Sequence, residues 1–486
     1  MALEDIRKVR LEKLEKLKAK GINPYPARSS RTHSISDAIS DFDALAASKE
    51  AITIAGRVMS LRGQGALIFF DLFDGTGRFQ GLYKKDDTNA ESIEFFNEVV
   101  DIGDFIEISG IVFTTKTGQK TVEVAGFRML AKTLLPLPEK WHGLQDAEER
   151  FRKRYLDILG SEEVREMFVR KAKFWKATRD FLTDKGFLEI DTPTLEVTTG
   201  GAEATPFKTH HEDYDLDVYL RISVGELWQK RLMAAGFPKT FEIGRVYRNE
   251  GTSPNHLQEF TNAEFYWSFA DFRMGMDLVK EMYRFIASNV YGKTVFTTRG
   301  HDFDLAAEWT EISYVEEIKR QTGIDAMAAT EEELVDKLKE LKVEYDAKTK
   351  ERLVDALWKH CRKAISGPAF VINYPDFMQP LAKRGDDPAT VEQFQVLIGG
   401  SEIGKGYSEL NDPVDQKARF EHQQALLKKG DKEAMMADFE FIEMLEHGMP
   451  PTCGFGFGER FFAFLEDKPI REVQLFPLMK PREDNK

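Results

Sequence analysis

At 486 residues, with a formal net charge of −14 and 42% hydrophobic content, the chain is long enough for roughly two to four domains and has the make-up of an ordinary soluble globular protein. The acidic balance excludes broad nonspecific nucleic-acid binding, so any RNA surface must be a local patch. Cys361 and Cys453 are the only cysteines, which excludes a disulfide framework or a four-cysteine zinc site and fits a reducing, cytoplasmic setting. No apolar run reaches the roughly 18 residues of a membrane span, and the N-terminus has no apolar signal core.

Residues 1–24 read as a basic amphipathic helix, with Leu3, Ile6, Val9, Leu14 and Leu17 at helical spacing, ended by Gly21 and Asn23-Pro24. Packing on the body and touching RNA are both open to it. Over 50–132 the pattern changes to short strands: ITIAGRVMSL, ALIFFDLFDGTGRFQGLY, DFIEISGIVF and KTVEVAGFRML, with Gly at the DGTG and KTG turns and a helical insert near 89–100. This is the pattern of a small barrel of the OB type, which binds single strands on aromatic side chains. Phe69 and Phe70 are adjacent in a strand, so they cannot both face inward.

The proline-rich stretch 133–146 reads as a linker to one large region, 147–486. Helices are expected at 147–159 and about 162–185, then the strand segment GFLEIDTPTLE containing Pro193. The next segment carries Gly200-Gly201, which let backbone approach a ligand closely. FEIGRVYRNEGTSPNHLQEFTNAEFYWSFAD (241–271) reads as two antiparallel strands around a turn, aiming Arg245, Arg248 and Glu250 at whatever the loop covers. An arginine fork suits phosphate or carboxylate, although one Arg/Glu pair alone would be an ordinary surface salt bridge. A helical insertion over about 311–366, rich in Glu, Lys and Leu, shows no chemistry of its own. Strands resume at PAFVINYP, QPLAKR and QFQVLIGGSEIGKGYSELNDP, and PPTCGFGFGERFF runs from a glycine-rich strand into a helix near Arg460.

Taken together, R-x-x-R-N-E-G, H-x-x-E-F-T and E-x-Y resemble motif 2 of the class II aminoacyl-tRNA synthetases, most closely the lysyl enzymes. GFLEIDTPTLE resembles their motif 1 and the Gly-rich strand ending in Glu459-Arg460 their motif 3. The resemblance covers nearly the whole chain. It implies an α+β protein: an N-terminal OB-fold β-barrel that reads the anticodon, and a catalytic domain with an antiparallel sheet flanked by helices, dimerised through motif 1 at Pro193. It further implies ATP-dependent activation of L-lysine and its transfer to tRNA(Lys), with Mg2+ on the phosphates.

By this resemblance Arg248 and Arg460 are catalytic and, with Glu250, His256, Phe260 and Glu402, bind ATP. Gly201, Glu226, Glu264, Tyr266, Lys405, Tyr407 and Glu409 bind the amino acid; Phe69 and Gln80 read an anticodon base. The metal ligands fall on Glu402 and Gln395. The chain departs from the family's pattern in several places. Gln395 offers an amide where an acid is usual, Lys405 replaces an asparagine, Thr205 an arginine and Gln119 an acid. One residue is added before Glu226 and one is missing after the motif 3 glycines, at Gly225 and Gly458. The chemistry of a lysine pocket calls for acids at both ends of the substrate, because a buried ammonium needs a hydrogen-bonded carboxylate. Three other readings remain at this point: an aspartyl or asparaginyl enzyme, a paralogue that modifies a protein with a lysine-like group, and a noncatalytic RNA-binding relative.

Overall fold

A computed structural model describes residues 3–64, 67–84, 90–138, 144, 146–202, 204–251, 253, 256–345, 349–428 and 435–482. The chain forms two compact units, Met1–Gln145 and Asp146–Lys486. Most of the expected linker lies in the first, and its residues 139–143 and 145 fall outside the described residues. No helix among the described residues is long and apolar enough to cross a membrane.

In the first unit β1 (Ile52–Gln64), β2 (Leu67–Phe73), β3 (Arg78–Lys84), β4 (Phe105–Thr114) and β5 (Lys120–Ala131) close into a barrel in the order β1-β2-β3-β5-β4. Every pairing is antiparallel except β3 with β5. Alternation places Ile68, Phe70 and Leu72 in the core and leaves Phe69 half-buried on the outer face. The Phe70 ring lies over Gly81 on the neighbouring strand, where a Cβ would collide with it. The helix Leu3–Ala19 seats Leu14 and Leu17. Its bases are engaged within the unit: Arg10 donates to Thr133 Oγ1 at 2.6 Å and to the Ile102 and Leu135 carbonyls at 3.0 Å, and Lys13 pairs with Asp101 at 2.7 Å. Packing on the barrel thus accounts for part of its charge.

The second unit is built on an eight-stranded sheet. Its order is Thr310–Ser313, Ala369–Ile372, Gln393–Ile398, Ser401–Ser408, Thr452–Gly458, Glu259–Ser268, Lys239–Tyr247 and Leu188–Glu189. The two outermost pairings are parallel and the rest antiparallel. Helices Glu162–Asp184 and Phe272–Tyr291 bury Phe174, Phe181, Met282 and Ile286 in the main core together with Phe455, Phe457 and Phe461. Register explains the glycine-rich strand: Phe455 and Phe457 pair with Phe265 and Ala263 on the core side. Gly454, Gly456 and Gly458 pair with Tyr266, Glu264 and Asn262 on the opposite face, which is left low and open.

Three expected elements differ. The 147–159 helix is two, Ala147–Arg152 and Arg154–Gly160, because the backbone leaves helical geometry at Lys153 (φ −113°, ψ 41°). Residues 311–313 belong to the sheet's edge strand, so the helical insertion begins at Tyr314. QPLAKR makes only isolated bridges, Ala382 to Glu409 and Arg384 to Val391, since Lys383 donates its N–H to the Ser408 carbonyl and accepts the Glu392 N–H, and neither pairing extends into a ladder.

Candidate active site

The open face of the sheet floors a cavity of about 320 Å³. The register lays out its floor in rungs. One runs Gln393, Tyr407, Gly454, Tyr266 and Thr240; the next runs Gln395, Lys405, Gly456, Glu264 and Glu242. Every residue proposed from sequence for ATP, amino acid or metal lines this one cavity, from Gly201 and Glu226 through Arg248, Glu250, His256 and Phe260 to Gln395, Glu402 and Arg460. Phe69, Gln80 and Pro193 lie elsewhere.

One end of the cavity is acidic. Glu226, Glu264 and Glu409 are each at most 7% exposed. Glu264 Oε1 accepts the Val224 N–H at 2.8 Å, and Tyr407 donates its hydroxyl to Glu226 Oε1. Burial, then the neighbouring Glu226, pushes the Glu264 carboxyl up to about 7, and burial also raises Glu409 against the pull of Lys230. Gly454 is obligatory, because a Cβ there would strike Glu409 Oε1 and the Tyr266 ring.

The other end is cationic. Arg248 lies over the Phe260 ring, its guanidinium carbon 5.3 Å from the centroid, and its Nη2 donates to the Ile222 carbonyl at 3.3 Å. Arg460 is held below the usual arginine range by burial first and then by Arg248, with Arg362 and Arg299 adding to the effect. Burial, followed by Arg460, Lys359 and Arg248, likewise lowers His256, so its ring is neutral near pH 7. Buried arginines gathered at one end of a cavity make it suited to an anion. Between the ends, Glu402 Oε1 accepts the Trp358 indole N–H at 2.6 Å and Gln395 Oε1 accepts the Tyr374 hydroxyl at 2.6 Å. Lys405 is exposed and stands directly across the strand pair from Gln395.

Sequence reasoning missed Lys230, Trp358, Arg362 and Asn262. Lys230 follows Glu226 by one helical turn, a spacing that also describes ordinary surface ion pairs. Trp358 and Arg362 come from the end of the insertion expected to carry no chemistry, and the insertion in fact orients Glu402.

The Glu264 shift carries a testable pH dependence. With its folded value raised above the ordinary 4.5, this carboxyl binds more protons folded than unfolded, so it lowers stability as pH rises from there to about 7. A cationic ligand pairs with the ionised form. Calorimetric titration with L-lysine is expected to show roughly 10-fold tighter binding at pH 8 than at pH 6; pH-independent binding would contradict the assignment of Glu264 to an ammonium.

A mainly antiparallel sheet with a glycine-rich strand, an arginine from the strand-loop-strand beside it and an acid-lined end defines a class II aminoacyl-tRNA synthetase site. Residues 146–480 match the family model for tRNA synthetases class II (D, K and N), and residues 52–130 match that for the OB-fold nucleic acid binding domain. The chain is 40% identical to a lysine--tRNA ligase of Thermotoga maritima, over 99% of this chain and 97% of that one. It is 42% identical to one of Roseiflexus castenholzii, over 99% and 100% of the two chains. It is 43% identical to one of Pelotomaculum thermopropionicum, over 99% and 96%. The chain belongs to the class II tRNA synthetases and, within them, to the lysine--tRNA ligase family.

Proposed function

We propose that the chain activates L-lysine with ATP and transfers it to the 3′ end of tRNA(Lys), releasing pyrophosphate and then AMP. The observation that carries this reading is the pairing of three buried glutamates with an arginine cluster across one cavity. The acids suit a substrate with two ammonium groups and would repel aspartate, which disfavours the aspartyl alternative.

In this reading Glu226 and Glu264 take the α-ammonium beside Gly201, and Glu409 with Tyr266 takes the side-chain ammonium. Tyr407 walls the alkyl stem. The lysine carboxylate oxygen attacks the α-phosphorus; an O–P bond forms, and the bond to the pyrophosphate oxygen breaks, its electron pair leaving with pyrophosphate. Both partners are anions, so Arg248 bridges them and stabilises the charge gathering between them, while Lys405 at the cavity's outer edge assists the carboxylate. Phe260 stacks on the adenine, Arg460 covers its other face and reaches the terminal phosphate, and Glu250 and His256 hold the nucleotide's edges. The tRNA 3′-terminal hydroxyl then attacks the activated carbonyl and AMP leaves.

Trp358 holds Glu402 Oε1 and leaves Oε2 toward the cavity with Arg362 at 3.9 Å. Among the described residues no three His, Cys, Asp or Glu side chains cluster as a metal cage. One Mg2+ fits here in its usual manner, on a single carboxylate plus phosphate oxygens and water, and when bound it neutralises phosphate charge. Gln395, already accepting from Tyr374, offers a neutral oxygen at most.

For the barrel, Phe69 and Gln80 share the outer face of β2 and β3, and Gln80 Oε1 accepts the Thr121 hydroxyl at 3.0 Å. We assign this face to the anticodon. Pro193 is exposed near the sheet's edge strand, beside Leu195 and Val197, which are 52% and 60% exposed. A second copy covers this apolar edge in a homodimer. The test is tRNA(Lys) charging beside exchange. Wild type charges; Phe69→Ala raises the KM for tRNA roughly 5- to 150-fold, the worth of one stacked base, with lysine-dependent exchange unchanged. Equal charging by both proteins would remove Phe69 from the anticodon site, and failure of the wild type to charge would refute the transfer step.

A further inference from the structure

Lys230 has no place in the chemistry above, yet it sits at the centre of the acidic end. It is buried to 1% exposure in the helix Glu226–Ala234, with its ammonium 2.8 Å from Glu226 Oε1 and 2.6 Å from Glu409 Oε2. The Tyr407 and Phe441 rings flank it, their centroids 5.5 and 5.8 Å away. One oxygen of each acid is therefore committed to a fixed cation. The remaining oxygens face the cavity. Glu226 Oε2 lies against Gly201; neither Glu409 oxygen makes a hydrogen bond, Oε2 being in ion-pair contact with Lys230 and Oε1 lying buried against Gly454. An unpartnered buried carboxylate oxygen is costly unless a ligand completes it.

Charge gives the same answer. Lys230 pairs with Glu226 and Glu409 of the three buried glutamates, so when a dicationic ligand draws all three into the ionised form two negative charges remain for the two ammonium groups of a diamino acid. Resting on the lysine reading of this cavity, we propose that Lys230 is a positioning residue that sets the pocket's length selectivity. Its ammonium fixes Glu226 and Glu409 relative to each other, so that their free oxygens meet the two ends of lysine and not those of ornithine, one methylene shorter. A methylene distinguished by a rigid pocket is worth roughly 10- to 200-fold in kcat/KM.

The experiment is ATP–pyrophosphate exchange with lysine and with ornithine for wild type, Lys230→Met and Lys230→Ala, the last with and without methylammonium. The expected result for the methionine variant is a lysine KM raised about 100-fold, roughly the upper half of that range, with the KM for ATP unchanged and the lysine-over-ornithine preference down about 10-fold. The acid limb of its pH profile moves upward, since carboxylates without their cation hold protons more tightly. Methylammonium restores part of the alanine variant's lysine KM, which carries the test if the methionine variant does not fold. Unchanged lysine KM and preference in the methionine variant, or an alanine variant that methylammonium does not rescue, overturns the inference while the lysine reading stands. A wild type inactive with lysine overturns that reading and this inference with it.

Discussion

Replacing Arg248 with methionine is expected to lower lysine-dependent ATP–pyrophosphate exchange by about 10³-fold, with the loss in kcat. Removing one preorganised donor from the place where charge develops costs about 10²–10³ in rate. Arg248 should stand at the top of that range, because in the proposed reading it serves two mutually repelling anions at once. Its position is fixed by the strand before it and by the Ile222 carbonyl, and Phe260 lies beneath it. The methionine keeps the apolar stem beside Phe260 and removes the charge together with the guanidinium's donors, including those to the Ile222 carbonyl. The check is steady-state exchange with thermal unfolding alongside. A variant that keeps its melting temperature and loses less than about 10-fold would show that another cation bridges the reactants, and Lys405 would then be the first to replace.

The second large effect belongs to Glu409. Glu409→Gln is expected to raise the KM for lysine about 10²- to 10³-fold while leaving that for ATP within a factor of two or so, because breaking one partner of a buried ion pair costs about 3–5 kcal/mol. Glu409 is 1% exposed, with its Oε1 unpaired beside Gly454 and its Oε2 on Lys230. The amide cannot neutralise a substrate ammonium, and it leaves Lys230 with Glu226 alone. Exchange at saturating lysine should recover much of the rate, which separates a binding role from a chemical one. Equal losses for lysine and ATP would instead mean that the glutamine had disturbed the sheet.

The barrel was legible because alternation and turn glycines are local signals. LIFFDLF places every second residue inward whatever else the chain does. The glycine-rich strand was only half legible: G-x-G-x-G shows a bare face but not what lies over it, and the register with Tyr266 and Glu264 supplies that. Glu226 and Glu409 come together only through the sheet and the helix beside it, so their pairing was available from the family resemblance and not from periodicity. Lys230 was invisible because a Glu and a Lys one helical turn apart describe a solvated surface pair equally well; its burial depends on Glu409 and Phe441 from distant segments. Trp358 was missed for a related reason, since its helix reads as an ordinary amphipathic one and only its inner face meets Glu402. The break at Lys153 has no proline or glycine to announce it. The strand expected at QPLAKR is split between two partners, Ser408-Glu409 on one side and Val391-Glu392 on the other, which no local pattern announces.

The departures at Gln395 and Lys405 gain meaning from their register. They face each other across adjacent strands, so a lost negative charge and a gained positive one fall side by side on the cavity rim. The rim shifts toward positive charge, and in the proposed reading this falls near the phosphates while Glu402 keeps its carboxylate for Mg2+.

The most direct test of the central claim, that this cavity selects lysine through its acids, is ATP–pyrophosphate exchange on the purified protein with each of the twenty amino acids in turn, in magnesium. Exchange with lysine alone is the predicted result. Exchange with aspartate or asparagine would contradict the pocket assignment, and exchange with none would mean that the fold is kept for binding RNA and not for catalysis.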